Sequence, residues 1–164
     1  MSAMNRHKAA ALLAALVGSG AGAHTSAKYG YSIQPPAGWQ QGSVPGFAAD
    51  FFYTPQPVAG FSPNINVLEP VQTQGAAPAA ICTSSVQLVK TGLKARGAAS
   101  TFDRAANVCR ITYRASPQGT ELRFYAELRF SPGRYHTLTF TAPDGAYQKW
   151  LPAVQASFGT FKAR

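Results

Sequence analysis

Apolar and polar positions alternate with a period of two from residue 121 to residue 130. Leu122, Phe124, Ala126, Leu128 and Phe130 are apolar, while Glu121, Arg123, Tyr125, Glu127 and Arg129 are polar or amphipathic, the pattern of a half-buried strand. Strands over residues 107–114 and 135–141 flank it, the first placing Cys109, Ile111 and Tyr113 on one face. Ser116-Pro117-Gln118-Gly119 and Ser131-Pro132-Gly133-Arg134 separate the three, and in the second the proline followed by glycine suits a type II turn. The pattern predicts an antiparallel meander with an apolar face forming the core.

Shorter strands are expected upstream. Tyr29, Tyr31 and Ile33 share a face until Pro35-Pro36-Ala37-Gly38 stops the ladder, and Trp39 after that turn is placed as a lid over one end of the core. Phe47, Ala49, Phe51 and Tyr53 alternate in a second strand, and Phe52 interrupts its polar side, which is compatible with cover on both faces. A third runs over residues 64–71 with Ile65 and Val67 inward and Pro70 near its end. From Pro78 the period becomes helical: Cys82, Val86, Val89 and Leu93 form one stripe, with Gly92 or Gly97 as its stop. Tyr147, Trp150, Leu151, Val154 and Phe158 form a second stripe, kinked or restarted at Pro152 and ended by Gly159. Three strands, a helix, three strands and a helix predict an α+β domain, a central antiparallel sheet of about six strands with two main helices.

The N-terminus changes the picture of where this domain resides. Arg6, His7 and Lys8, the apolar run 9–17 and Ala21-Gly22-Ala23 have the layout of a signal peptide over residues 1–23, leaving one domain over residues 24–164. Cleavage after Ala27 is the alternative, and a retained anchor another. The reading places the mature chain in the periplasm or medium, with no transmembrane segment left after cleavage. Losing Arg6 and Lys8 leaves thirteen Lys and Arg against six acids, so the mature domain stays basic. That balance favours an envelope or secreted protein, or an anionic surface, as partner, and export argues against nucleic acid. Because the charges are scattered, the excess is also compatible with an ordinary solvated surface.

Cys82 and Cys109 both lie in the exported part, where a disulfide is favoured. Closing a loop of this length stabilises by about 3 kcal/mol. A redox pair would call for Cys-x-x-Cys spacing and a metal site for nearby histidines. With Cys82 on the first helix and Cys109 on the meander, the bridge would staple helix to sheet.

The strand before Pro35-Pro36-Ala37-Gly38-Trp39, the Asn64-Ile65-Asn66-Val67 strand, the meander and the closing Ala156-Ser157-Phe158 together resemble the PsbP-like superfamily. Its members include DcrB-like exported bacterial proteins, PsbP and the Mog family of Ran-binding factors. The resemblance implies an α/β/α sandwich used as a binding or assembly-accessory module without a cofactor, not as an enzyme. It carries over no functional residue.

No catalytic motif is legible. The six acids are dispersed, no Gly-x-Ser-x-Gly elbow occurs, and His136 is the single histidine within the body of the domain. Its register with Leu138 and Phe140 suits a satisfied core histidine more than a base. A small hydrolase with an unrecognised site remains an alternative. A sharper alternative is copper binding by a mature N-terminal His24, through its free amine and imidazole with His136 as a further ligand, although such tails are usually disordered.

The strongest candidate for a contact surface is the polar face of the meander: Arg110, Arg114, Arg123, Tyr125 and Arg129, with Tyr135 and Thr137 alongside. Arginine interleaved with tyrosine suits carboxylates or phosphates. The competing reading packs the arginine stems beneath a helix beside Glu121 and Glu127. Charge reversal at Arg123 and Arg129 separates the two: a binding face predicts lost capture at unchanged stability.

Overall fold

The computed structural model describes residues 22–164, so nearly all of the stretch read as a signal peptide lies outside the described residues. The element order is β1 (His24–Ser26), β2 (Tyr31–Ile33), β3 (Gln40–Gly42), β4 (Ala49–Tyr53), β5 (Asn64–Leu68), β6 (Val71–Gln72), α1 (Pro78–Gly92), β7 (Arg96–Asp103), β8 (Val108–Ala115), β9 (Leu122–Ser131), β10 (Arg134–Ala142), α2 (Asp144–Gly159) and β11 (Lys162–Ala163).

The main sheet has eight antiparallel strands, not about six. Its order is β3-β4-β5-β10-β9-β8-β7, with β6 paired to β10 off that path. A separate small sheet runs β1-β2-β11. The additional strands are short, except for β7, which spans Gly97, Ala98, Ala99 and Ser100, residues with little strand signal of their own.

The meander forms as its alternation predicts, and Gly133 supplies the positive φ of 75° that its turn requires. The single shared core face does not. Leu122, Phe124, Ala126 and Leu128 pack beneath α1 with Cys82, Val86, Cys109, Ile111 and Tyr113. On the next strand Leu138, Phe140 and Ala142 pack toward α2, with Tyr147, Val154 and Phe158. Phe140 stands opposite Tyr125, not Phe124, so the inward positions of β9 and β10 face opposite sides of the sheet. One helix covers each face, giving an α/β/α sandwich with two cores.

In β2, Tyr31 and Ile33 are fully buried, as are Ile65 and Val67 in β5, and Trp39 packs against Trp150 and Phe140. In β4 both faces are covered. Ala49 is buried on one face and Phe52 on the other, where Asp50 and Phe52 meet Tyr31 and His24 of the small sheet, whereas Phe47 lies before the strand and is exposed.

Helix α1 begins at Pro78 and buries Cys82 and Val86, but Leu93 is exposed and caps its end. The helix ends at Gly92, one of the two expected stops, although the left-handed turn that closes it falls two residues later. Lys94 takes the left-handed conformation (φ 51°), and the amides of Leu93 and Ala95 both return to the carbonyl of Val89. Helix α2 runs through Pro152 as one element, because the proline sits on the exposed side, where solvent can satisfy the carbonyl that its missing N–H leaves free. Cys82 and Cys109 are bridged, joining α1 to β8 with 5.6 Å between Cα atoms.

Candidate binding face: an arginine row across three strands

The register of β7, β8, β9 and β10 sets Arg96 opposite Arg114, Arg114 opposite Arg123, and Arg123 opposite Ala142. Directly paired residues share a face, with strands about 4.8 Å apart. Three like charges in such a row repel one another. Two carboxylates offset the repulsion: Glu121 pairs with Arg96, and Asp144 bridges Arg114 at 2.9 Å and Arg123 at 3.6 Å. Three guanidinium groups against two carboxylates leave one positive charge in excess.

The row lines a groove of about 300 Å³ beside α2, floored by Thr112 and walled by Tyr147, Gln148 and Leu151. Arg123 lies over the Tyr147 ring, 4.3 Å from its centroid, which fixes the guanidinium by a cation–π contact. Arg114 is nearly half exposed and Arg96 more so. The Glu121 carboxyl is held below its ordinary range, first by the Ser116 hydroxyl and then by Arg96. Asp144 occupies the first turn of α2, where the helix dipole favours a negative charge.

The sequence pointed to one face of five residues, and the structure divides it. Arg114 and Arg123 reach the open groove. Tyr125 is buried under α2, stacked on Phe158 with ring centroids 5.8 Å apart, so it is not part of an exposed surface. Its hydroxyl donates to Glu127, a buried carboxylate that also accepts from Arg129 and lies 3.5 Å from Arg110. Burial and the Glu127 charge together raise the Tyr125 phenol above its ordinary pKa. Arg110 also reaches Asp103 at 3.3 Å. Arg110 and Arg129 are therefore bound into a network around Glu127, and reversing Arg129 would strip that carboxylate of a partner.

Tyr135 and Thr137 stand opposite Phe130 and Leu128 and so belong to the α1 side, not to the arginine face. Arg96 was missed because β7 carries no alternation. The only sequence signal for it was the Thr101-Phe102 pair near the far end of that strand.

His24 is not in a disordered tail. It belongs to β1, packs edge-on to Phe52 at 5.1 Å, and its Nε2 is 3.5 Å from Asp50. Tyr31 lies between the two histidines, with ring centroids 5.9 Å from each, and donates its hydroxyl to Asp50 at 2.6 Å. His136 is fully buried and its Nε2 is 2.9 Å from the Tyr29 carbonyl, which makes Nε2 the donor and Nδ1 the unprotonated nitrogen. Among the described residues no group of three His, Cys, Asp or Glu side chains is placed to hold a metal.

Burial depresses the His136 pKa, assisted by Arg134 and opposed by the Tyr29 bond. The unfolded chain therefore takes up this proton at higher pH than the folded one. Stability should be flat above about pH 6.5 and should fall as pH drops below it. Thermal unfolding between pH 7.5 and 5 checks this, and a His136→Phe variant should lack that slope in the window.

Neither a family model nor a curated protein matches this sequence. Solved structures do match. Cyanobacterial PsbP (CyanoP) from Synechocystis sp. PCC 6803 aligns at TM-score 0.61 and 14% identity, covering 93% of this chain and 99% of that one. PA94 of Pseudomonas aeruginosa, a protein of unknown function, aligns at TM-score 0.60 and 14% identity over 89% and 99%. LpqN of Mycobacterium tuberculosis, involved in cell envelope biogenesis, aligns at 0.56 and 13% over 86% and 88%. Identities this low establish the shared fold alone. Over nearly its whole described length, this chain has the PsbP-like fold.

Proposed function

We propose that this protein is an exported, non-enzymatic binding or assembly-accessory module that holds an anionic partner against the arginine row of β7, β8 and β9. The observation that carries the reading is the row itself. Like charges set opposite one another cost stability, and two carboxylates do not neutralise three guanidinium groups. A groove that keeps this excess open to solvent is suited to bidentate capture of carboxylate or phosphate.

Export is supported by the leader-like N-terminus and by a disulfide, which persists in oxidising compartments. LpqN, a structural neighbour, works in cell envelope biogenesis, which suits an envelope setting for this chain as well. No helix among the described residues is long and apolar enough to cross a membrane.

The test is capture from envelope extract with the purified protein and with an Arg96→Gln/Arg114→Gln variant. Both side chains are largely solvated, so neutralising them should change stability by less than about 1 kcal/mol. The parent should retain a partner that the variant loses. Equal capture by both would refute the reading.

A further inference from the structure

The arginine row ends at a free sheet edge. Among the described residues β7 pairs only with β8, and beyond the bulge between Arg96 and Ala99, where Gly97 takes a positive φ of 59°, its outer side presents unpaired backbone donors and acceptors from Ala99 to Asp103. Exposed edges are normally protected by lysine, proline, a very short strand, an inward charge or a bulge, and the bulge of β7 is confined to its Arg96 end. Here the middle of the strand is Gly97-Ala98-Ala99-Ser100-Thr101, small and uncharged, and mostly exposed. Charge appears only at its ends, Arg96 and Asp103.

We infer that β7 receives an extended acidic peptide segment of a partner protein as an added strand, with a carboxylate side chain of that segment reaching the Arg96–Arg114 end of the groove. This rests on the binding reading above and specifies its partner. Strand addition supplies affinity through main-chain hydrogen bonds and specificity through alternate side chains. The arginine row selects an acidic residue at one end of the added strand, and Asp103 repels one at the other, which fixes direction. Asp144 shows the chemistry in miniature: its two oxygens meet Arg114 and Arg123 separately, the arrangement an incoming carboxylate would adopt.

A second copy of this chain is a poorer occupant. It would set Asp103 against Arg96, but two chains of the same strong positive charge repel.

The probe is a capped peptide alternating glutamate and valine, with two controls: the same sequence N-methylated at alternate amides, and its lysine counterpart. Amide hydrogen exchange on the purified protein should show added protection across Ala99–Asp103 with the acidic peptide. The N-methylated and lysine peptides should bind at least about tenfold more weakly, and Arg96→Gln/Arg114→Gln should weaken the acidic peptide by about three- to tenfold.

Equal binding of the N-methylated peptide, without protection at β7, would overturn strand addition while leaving the arginine groove as an anion site. Binding of inorganic polyphosphate but not of the acidic peptide would overturn the peptide assignment and likewise spare the groove. Protection of β7 by self-association without any peptide would overturn the inference in favour of a homodimer.

Discussion

Loss of the Cys82–Cys109 bridge should lower stability by about 3 kcal/mol, or roughly 10 °C in Tm. The effect should be local before it is global. Helix α1 buries Cys82 and Val86, covers Ile81 and Val89 only in part, and carries Leu88 and Leu93 exposed, so less apolar surface holds it to the sheet than holds α2. The α2 side is anchored by fully buried Val154 and Phe158 against Phe140 and Ile65. In a Cys82→Ser/Cys109→Ser variant, amide exchange across Pro78–Gly92 should accelerate well ahead of exchange in β5 and β10. Uniform acceleration across both faces would show that the two cores unfold as one unit and that the staple stabilises both equally.

Glu127→Ala should destabilise the protein by about 3 kcal/mol, because it leaves two guanidinium groups and a buried phenol facing an empty position. The partial exposure of Arg110 and Arg129 keeps the figure at the lower end of the range for broken buried pairs. Arg114→Ala, by contrast, should cost less than about 1 kcal/mol, since Arg114 and Asp144 are both well solvated. The contrast, read by denaturant unfolding, measures how the arginine face is divided: its Glu127 half is a structural network, and its Arg96–Arg114–Arg123 half is open surface. Comparable losses at both positions would mean that the whole face is structural.

The sequence was most legible where a residue's neighbours along the chain determine its environment. The alternation of β9, the helical stripes beginning at Cys82 and Tyr147, the first without its last member Leu93, and the Ser131–Arg134 turn all follow from local spacing, and the disulfide follows from two cysteines in an exported chain. What was not legible depends on register and on which helix covers which face. Alternation taken alone makes one side of a strand buried and the other wet, yet in β9 both Phe124 and Tyr125 are buried, because α1 and α2 press from opposite sides. Strand β7 escaped because alanine, glycine and serine carry little preference for an extended backbone, and only pairing with β8 holds them there. The arginine row inherits that difficulty, since three residues far apart in sequence become neighbours only through the pairings of β7, β8 and β9.

Whether the open half of the arginine face holds an anionic partner is decided by partner capture with the parent and with Arg96→Gln/Arg114→Gln at matched Tm, at low salt and at roughly 0.5 M salt. Capture by the parent at low salt should weaken at high salt and be lost in the variant. Capture that survives both the neutralised arginines and high salt would show that the partner is held elsewhere, and the binding reading of this face would fall.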